Sequence, residues 1–125
     1  MVKRITRKKQ TKRKSIDIKT RLIRANKAFG GNLVHKGNFD FEIDAASRKN
    51  KAFQKAAHLT RAMTSSHSFS DGNKRTATVA AAYVMREAGV KANKKKLVKT
   101  IIRLSKSGEG DLKKIERSLR RCTKK

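Results

Sequence analysis

The residues of this chain whose types and order could do chemistry stand together in HSFSDGNKRTA, His67 to Ala77. An imidazole titrates near neutrality, about pH 6.5 when unperturbed, so His67 can accept a proton from an attacking hydroxyl. Asp71 is a carboxylate suited to Mg²⁺, which usually combines one or two carboxylates with phosphate oxygens. Gly72 allows a phosphate to come close to the backbone. Asn73, Lys74 and Arg75 then supply the N–H groups of a starting helix together with two cations, an arrangement that binds anions. Phe69 alternates with these polar residues and is expected to point inward and pin the loop. Each residue also has a plainer role: Asp71 as a helix cap, His67 as a surface histidine, Lys74 and Arg75 as two cations among 35. Their joint order favours the site. Other sites fail on spacing. GNKRT lacks both the earlier glycine and the GK[ST] ending of a Walker loop, and His35, His58, His67 and Cys122 have no metal-ligand spacing.

These residues need elements to hold them. Ser15 can cap a first helix with Ile18, Leu22, Ala25 and Phe29 at helical spacing, closed by Gly30-Gly31. In residues 32–43, Phe39, Phe41 and Ile43 alternate with Asn38, Asp40 and Glu42, and Lys36-Gly37 can turn, which predicts a small hairpin. Asp44 can cap a longer helix to about Ser65, buried through Ala52, Ala56, Leu59 and Met63 beside Phe53. The quoted run is then the loop before a helix carrying Val79, Ala80, Tyr83 and Val84 and ended by Gly89. Asn93 opens a fourth helix with Leu97, Val98, Ile101, Ile102 and Leu104, broken at Gly108–Gly110. Asp111 opens a fifth with Leu112, Ile115, Leu119 and Cys122. The expected fold is all-α, a compact bundle of about five helices with a short β-hairpin after the first. No repeat is visible, and no proline interrupts these spans.

The length of 125 residues fits one domain. A basic arm over 1–14, a domain over 15–122 and a basic tail over 123–125 are expected. One cysteine allows no internal disulfide and points to a reducing compartment. With no secretion signal and no run of about 18 apolar residues, a soluble cytoplasmic protein without membrane contact is expected. The net charge of +26 sits at the ends: +11 over residues 1–28, +11 over 91–125 and +4 between. Such ends favour nucleic-acid or ribosome contact, with Lys8, Lys9, Lys12, Arg13, Lys14, Lys94, Lys95 and Lys96 as candidate contacts.

The run His67–Arg75 resembles the Fic motif, H-x-F-x-[DE]-G-N-[GK]-R, and most closely its Doc branch, where lysine follows asparagine. FGGNLVHKGNFDFEIDAA, AFQKAAHLTRAMTSSH and SGEGDLKKIERSLR are similar to further parts of the family, so that roughly residues 16–121 are covered. The resemblance implies a Fic-like bundle with His67 as general base, Asp71 as the Mg²⁺ ligand, and Gly72, Asn73 and Lys74 as the anion-binding turn. It implies that Arg75 neutralises a nucleotide phosphate, and that Asn38, Phe39, Asp40 and Phe41 belong to a flap that holds the target as an added strand. ATP and Mg²⁺ are the implied cofactors, and a protein bearing a Ser, Thr or Tyr hydroxyl is the implied partner. Fic proteins mostly transfer AMP, whereas Doc transfers a phosphate to a translation factor. AMP-transferring members usually carry glycine at the position of Lys74 and a second arginine at that of Thr78, so both departures favour phosphate transfer. Ser68 replaces a common proline.

Family members are often inhibited through a motif [ST]-x-x-x-E-[GN]. Ser105, Glu109 and Gly110 fit its letters, but Gly108 and Gly110 would break the helix it needs. A separate antitoxin, in a toxin–antitoxin pair, is the expectation. The contrasting reading is a non-catalytic basic module of the same shape that grips RNA, DNA or the ribosome.

Overall fold

The computed structural model describes residues 18–65 and 68–123. Ser15, the basic arm, His67 and the last two residues lie outside them. Six helices run through the described residues: α1 (18–28), α2 (Lys36–Ser47), α3 (Ala52–Thr64), α4 (Asn73–Glu87), α5 (Lys94–Ser107) and α6 (Leu112–Arg120). Two isolated antiparallel bridges, Leu33 with Phe69 and Ala92 with Thr123, are the strand-like pairings among them.

The expected hairpin does not form: from Lys36 onward the segment is helix, and residues 32–35 are not helical. Phe39, Ile43 and Ala46 fall at i, i+4 and i+7, one face of α2, and all are buried. Phe41, the middle member of the apparent alternation, is 67% exposed. Phe39 meets Phe69 edge-on with ring centroids 5.4 Å apart. Full burial of such a ring contributes about 1.5–3 kcal/mol, which outweighs any strand propensity of the segment. The helix expected from Asp44 to Ser65 is accordingly two. Asp44 lies within α2, where it pairs with Lys19 at 3.1 Å, and residues 48–51 separate α2 from α3. That extra element raises the count from five to six.

The central helix is α3, packed against α2, α4, α5 and α6. Its Ala56, Ala57 and Ala62 and the Ala77, Ala80 and Ala81 of α4 are all buried, and side chains this small let two helices approach closely. Val79 and Tyr83, expected on the buried face of α4, flank it instead, with Val79 39% exposed. Both C-terminal helices start as their caps predict. Asn93 accepts from the Lys96 N–H at 3.2 Å, and Asp111 from those of Lys113 and Lys114 at 2.9 and 3.3 Å. No helix among the described residues is long and apolar enough to cross a membrane.

Glu42 is buried on α2 and is held by Arg61 of α3, whose Nε and Nη2 donate to its two carboxylate oxygens at 3.0 and 2.8 Å. His58 lies next to this pair, its Nδ1 3.8 Å from Glu42 Oε2. Burial, opposed by the Glu42 charge and assisted by Arg61 and Lys49, holds the His58 imidazole below its ordinary pKa. The unfolded chain therefore takes up a proton here before the folded one does. The resulting stability is complete above about pH 6.5 and is lost as the pH falls from there toward the lowered folded value. Thermal melts across that window are expected to show a declining Tm that His58→Gln flattens; an equal decline in both proteins would assign it to other groups.

Candidate active-site loop and anion turn

The segment 68–72 joins α3 to α4 and is fixed from three sides. Ser68 is buried, and both its N–H and its hydroxyl donate to the Ala62 carbonyl, at 3.1 and 2.8 Å. Its own carbonyl accepts from the Val34 and His35 N–H groups at 2.9 and 3.1 Å, while Ser70 N–H donates to Asn32 O at 2.8 Å. Residues 32–35 thus lie antiparallel to the loop, centred on the Leu33–Phe69 bridge. Phe69 is buried, as expected.

The Asn73 side chain ties the loop to the helix. Its Nδ2 donates to Phe69 O at 2.7 Å, and its Oδ1 accepts from Phe69 N–H at 3.1 Å. These two bonds use Oδ1 and one N–H of the Asn73 amide; residue 73 also has its main-chain N–H in the first turn of α4. Gly72 has φ +71°, left-handed backbone that a side chain rarely adopts, and a Cβ there would lie 2.9 Å from Phe29 Cβ. Asp71 Oδ1 accepts from Gly72 N–H at 2.8 Å. Beyond it, no cap side chain accepts from the first turn of α4, unlike α5 and α6. The opening N–H groups therefore remain available to an anion, with the positive end of the helix dipole behind them.

Three residues that the motif does not include set this turn. Asn26 of α1 is fully buried, and its Nδ2 donates to Asp71 O at 2.7 Å and to Thr76 Oγ1 at 3.1 Å. Thr76 Oγ1 in turn donates to Gly72 O at 2.8 Å. Gly31 passes so close that a Cβ there would collide with the Asp71 carbonyl oxygen and Asn26 Oδ1. The sequence does carry a signal for Asn26: it stands four residues after Leu22, a polar side chain in a core register.

Phe29, Ser70 to Arg75, Thr78 and Val79 form one wall of a cleft of about 790 Å³, and Val98, Ile102 and Ser105 of α5 form the other. Lys74 and Arg75 are exposed, with the Arg75 guanidinium 5.8 Å from the Phe29 ring centroid. Thr78 Oγ1 donates to Lys74 O at 3.0 Å, which turns this short side chain back onto the helix. Asp71 is exposed and is the carboxylate among the lining residues. Among the described residues the structure thus brings together Asp71, Gly72, Asn73, Lys74 and Arg75, with Phe69 beneath them.

It does not bring the expected flap. Phe39 is in the core, Asp40 pairs with Lys19 at 3.6 Å, and none of residues 38–41 lines the cleft. Lys94, Lys95 and Lys96 are exposed at the start of α5, whereas Lys8, Lys9, Lys12, Arg13 and Lys14 lie outside the described residues. Of the would-be inhibitory letters, Ser105 lines the cleft, but Glu109 follows the end of α5 and accepts from Asp111 N–H at 3.2 Å.

Compared with known families, residues 5–85, more than half of the chain, match the model of the Fic/DOC family. A search of curated proteins finds no match.

Proposed function

Because the chain belongs to the Fic/DOC family, we propose that it is a transferase that moves the γ-phosphate of ATP to a hydroxyl on a protein. The observation that carries this reading is the uncapped first turn of α4, facing a cleft with Lys74 and Arg75 exposed beside it. A bare glycine, open N–H groups and two cations suit the phosphates of a nucleotide. One exposed carboxylate, Asp71, suits a magnesium ion that draws its other ligands from phosphate and water. Such an ion would neutralise phosphate charge.

The remaining work belongs to the chain. His67 takes the proton of the target hydroxyl as that oxygen bonds to the γ-phosphorus and the bond to the leaving nucleoside diphosphate breaks. Arg75 and the N–H groups of α4 hold the phosphate oxygens in line, and Lys74 binds the outer charge. The Doc-like choice of phosphate over AMP rests on Lys74 and Thr78. With Thr78 turned back onto α4, that wall carries no second arginine for the outer phosphates of an AMP donor. A translation-related target and a separate antitoxin complete the proposal.

The test incubates the protein with cell extract and ATP labelled at the α or the γ phosphate. Protein-bound γ label that extract alone and extract with the His67→Ala variant do not give is the expected result. His67-dependent label from the α position alone replaces the reading with AMP transfer, and no His67-dependent label from either sinks it in favour of a non-catalytic binding module.

A further inference from the structure

The apolar residues of α5 that are buried, Leu97, Ile101 and Leu104, occupy one side of the helix. At 100° per residue, Lys95, Lys99 and Lys106 fall on the opposite side, and all three are exposed. On α6 the same geometry sets buried Ile115 and Leu119 against exposed Lys113 and Arg117. The two helices lie side by side: Arg103 Nη2 donates to Ser118 Oγ at 3.3 Å, and Cys122 Sγ lies 3.3 Å from Thr100 Oγ1. Their cations therefore form one surface.

Among the described residues no carboxylate neutralises it. Among the described residues, none of these five cations nor Arg103 has an acidic group within salt-bridge distance. The three acids of the region are used locally: Asp111 caps α6, Glu109 accepts from Asp111 N–H, and Glu116 pairs with Arg120 at 3.8 Å. Unpaired like charges held on two rigid helices repel one another, and a polyanion relieves that repulsion. Residues 93–123 contain no Phe, Tyr or Trp, so the face has neither a platform for stacking unpaired bases nor the aromatic anchors of an interfacial membrane helix. Dense charge without stacking fits a duplex better than a single strand.

We propose that the outer face of α5 and α6 binds the phosphodiester backbone of a nucleic-acid duplex without reading its bases. This surface is separate from the α4 turn, although α5 also contributes its other flank to the cleft.

The test is fluorescence anisotropy without ATP, so its outcome is independent of the transfer reaction. Probes are duplex RNA and duplex DNA of about 20 base pairs, the single strand, and vesicles of phosphatidylserine in phosphatidylcholine, each over a range of salt. Two full-length variants are compared after melts confirm that they fold. One carries Lys95→Gln, Lys99→Gln, Lys106→Gln, Lys113→Gln and Arg117→Gln; the other carries Lys8→Gln, Lys9→Gln, Lys12→Gln, Arg13→Gln and Lys14→Gln. The face variant is expected to bind duplex at least about tenfold more weakly near 0.15 M salt, with a log K against log salt slope shallower by about 3–4.5. The arm variant is expected to lose less, and the tighter of the two duplexes identifies the source of the ligand. The proposal is overturned if the face variant binds like the parent, if neither duplex binds, or if vesicles or single strands bind as tightly as duplex.

Discussion

His67→Ala is expected to lower transfer of the γ-phosphate by about 10² to 10⁴-fold, the range that general-base catalysis typically supplies. A hydroxyl is a poor nucleophile until its proton is accepted, and alanine accepts none. The surroundings of the α4 turn should be unaffected, because Ser68 keeps its bonds to Ala62 O and Phe69 its bonds to Asn73. Nucleotide affinity and Tm are therefore expected to stay close to those of the parent, while the single-turnover labelling rate collapses. An unchanged labelling rate would remove His67 from the chemistry and leave the loop as an anion site only.

The largest effect on stability is expected at a residue outside the motif. Gly31→Ala places a methyl group against the Asp71 carbonyl oxygen and Asn26 Oδ1. One of these is backbone, and the other is anchored by the Asn26 bonds to Asp71 O and Thr76 Oγ1, so neither can yield cheaply. A loss of about 3 kcal/mol follows, a fall in Tm of roughly 10 °C. Whatever protein still folds is expected to label poorly, because relief of the clash moves the carbonyl of Asp71 and with it the turn. Gly37→Ala is the contrast. It lies in the first turn of α2, where an added Cβ would meet nothing within 4 Å, and it should be neutral or stabilising by up to about 1 kcal/mol. Equal melts for the two variants would show that the approach of Gly31 to Asp71 is looser than described.

The parts of the molecule readable in the sequence are those decided locally. Asn93 and Asp111 cap helices through bonds two or three residues away, and the anion turn follows from the order of Asp71 to Arg75. What escaped was decided at a distance. Phe39, Phe41 and Ile43 satisfy a period of two, while Phe39 and Ile43 with Ala46 satisfy a helical period that leaves Phe41 outside. The choice between them was made by Phe69 and by Arg61, which neutralises Glu42 on the buried face 19 residues away. The break at residues 48–51 carries no glycine or proline, so nothing local marked it. The α5 wall of the cleft, Val98, Ile102 and Ser105, depends on how α5 packs on α4. Asn73 shows the same limit within the motif itself: its presence was legible, but its use as a clamp on Phe69 was not.

The bare start of α4 has a consequence for the whole chain. On the proposed reading the acceptor missing from that helix end comes from solution: a bound phosphate would serve as the cap and would be linked to folding as any ligand of the native state is. Folding stability would then be a property of the protein together with its anion pool, rising with the logarithm of anion concentration once the dissociation constant is exceeded. A chain that leaves this end open would hold part of its stability in reserve, to be drawn only when the nucleotide arrives.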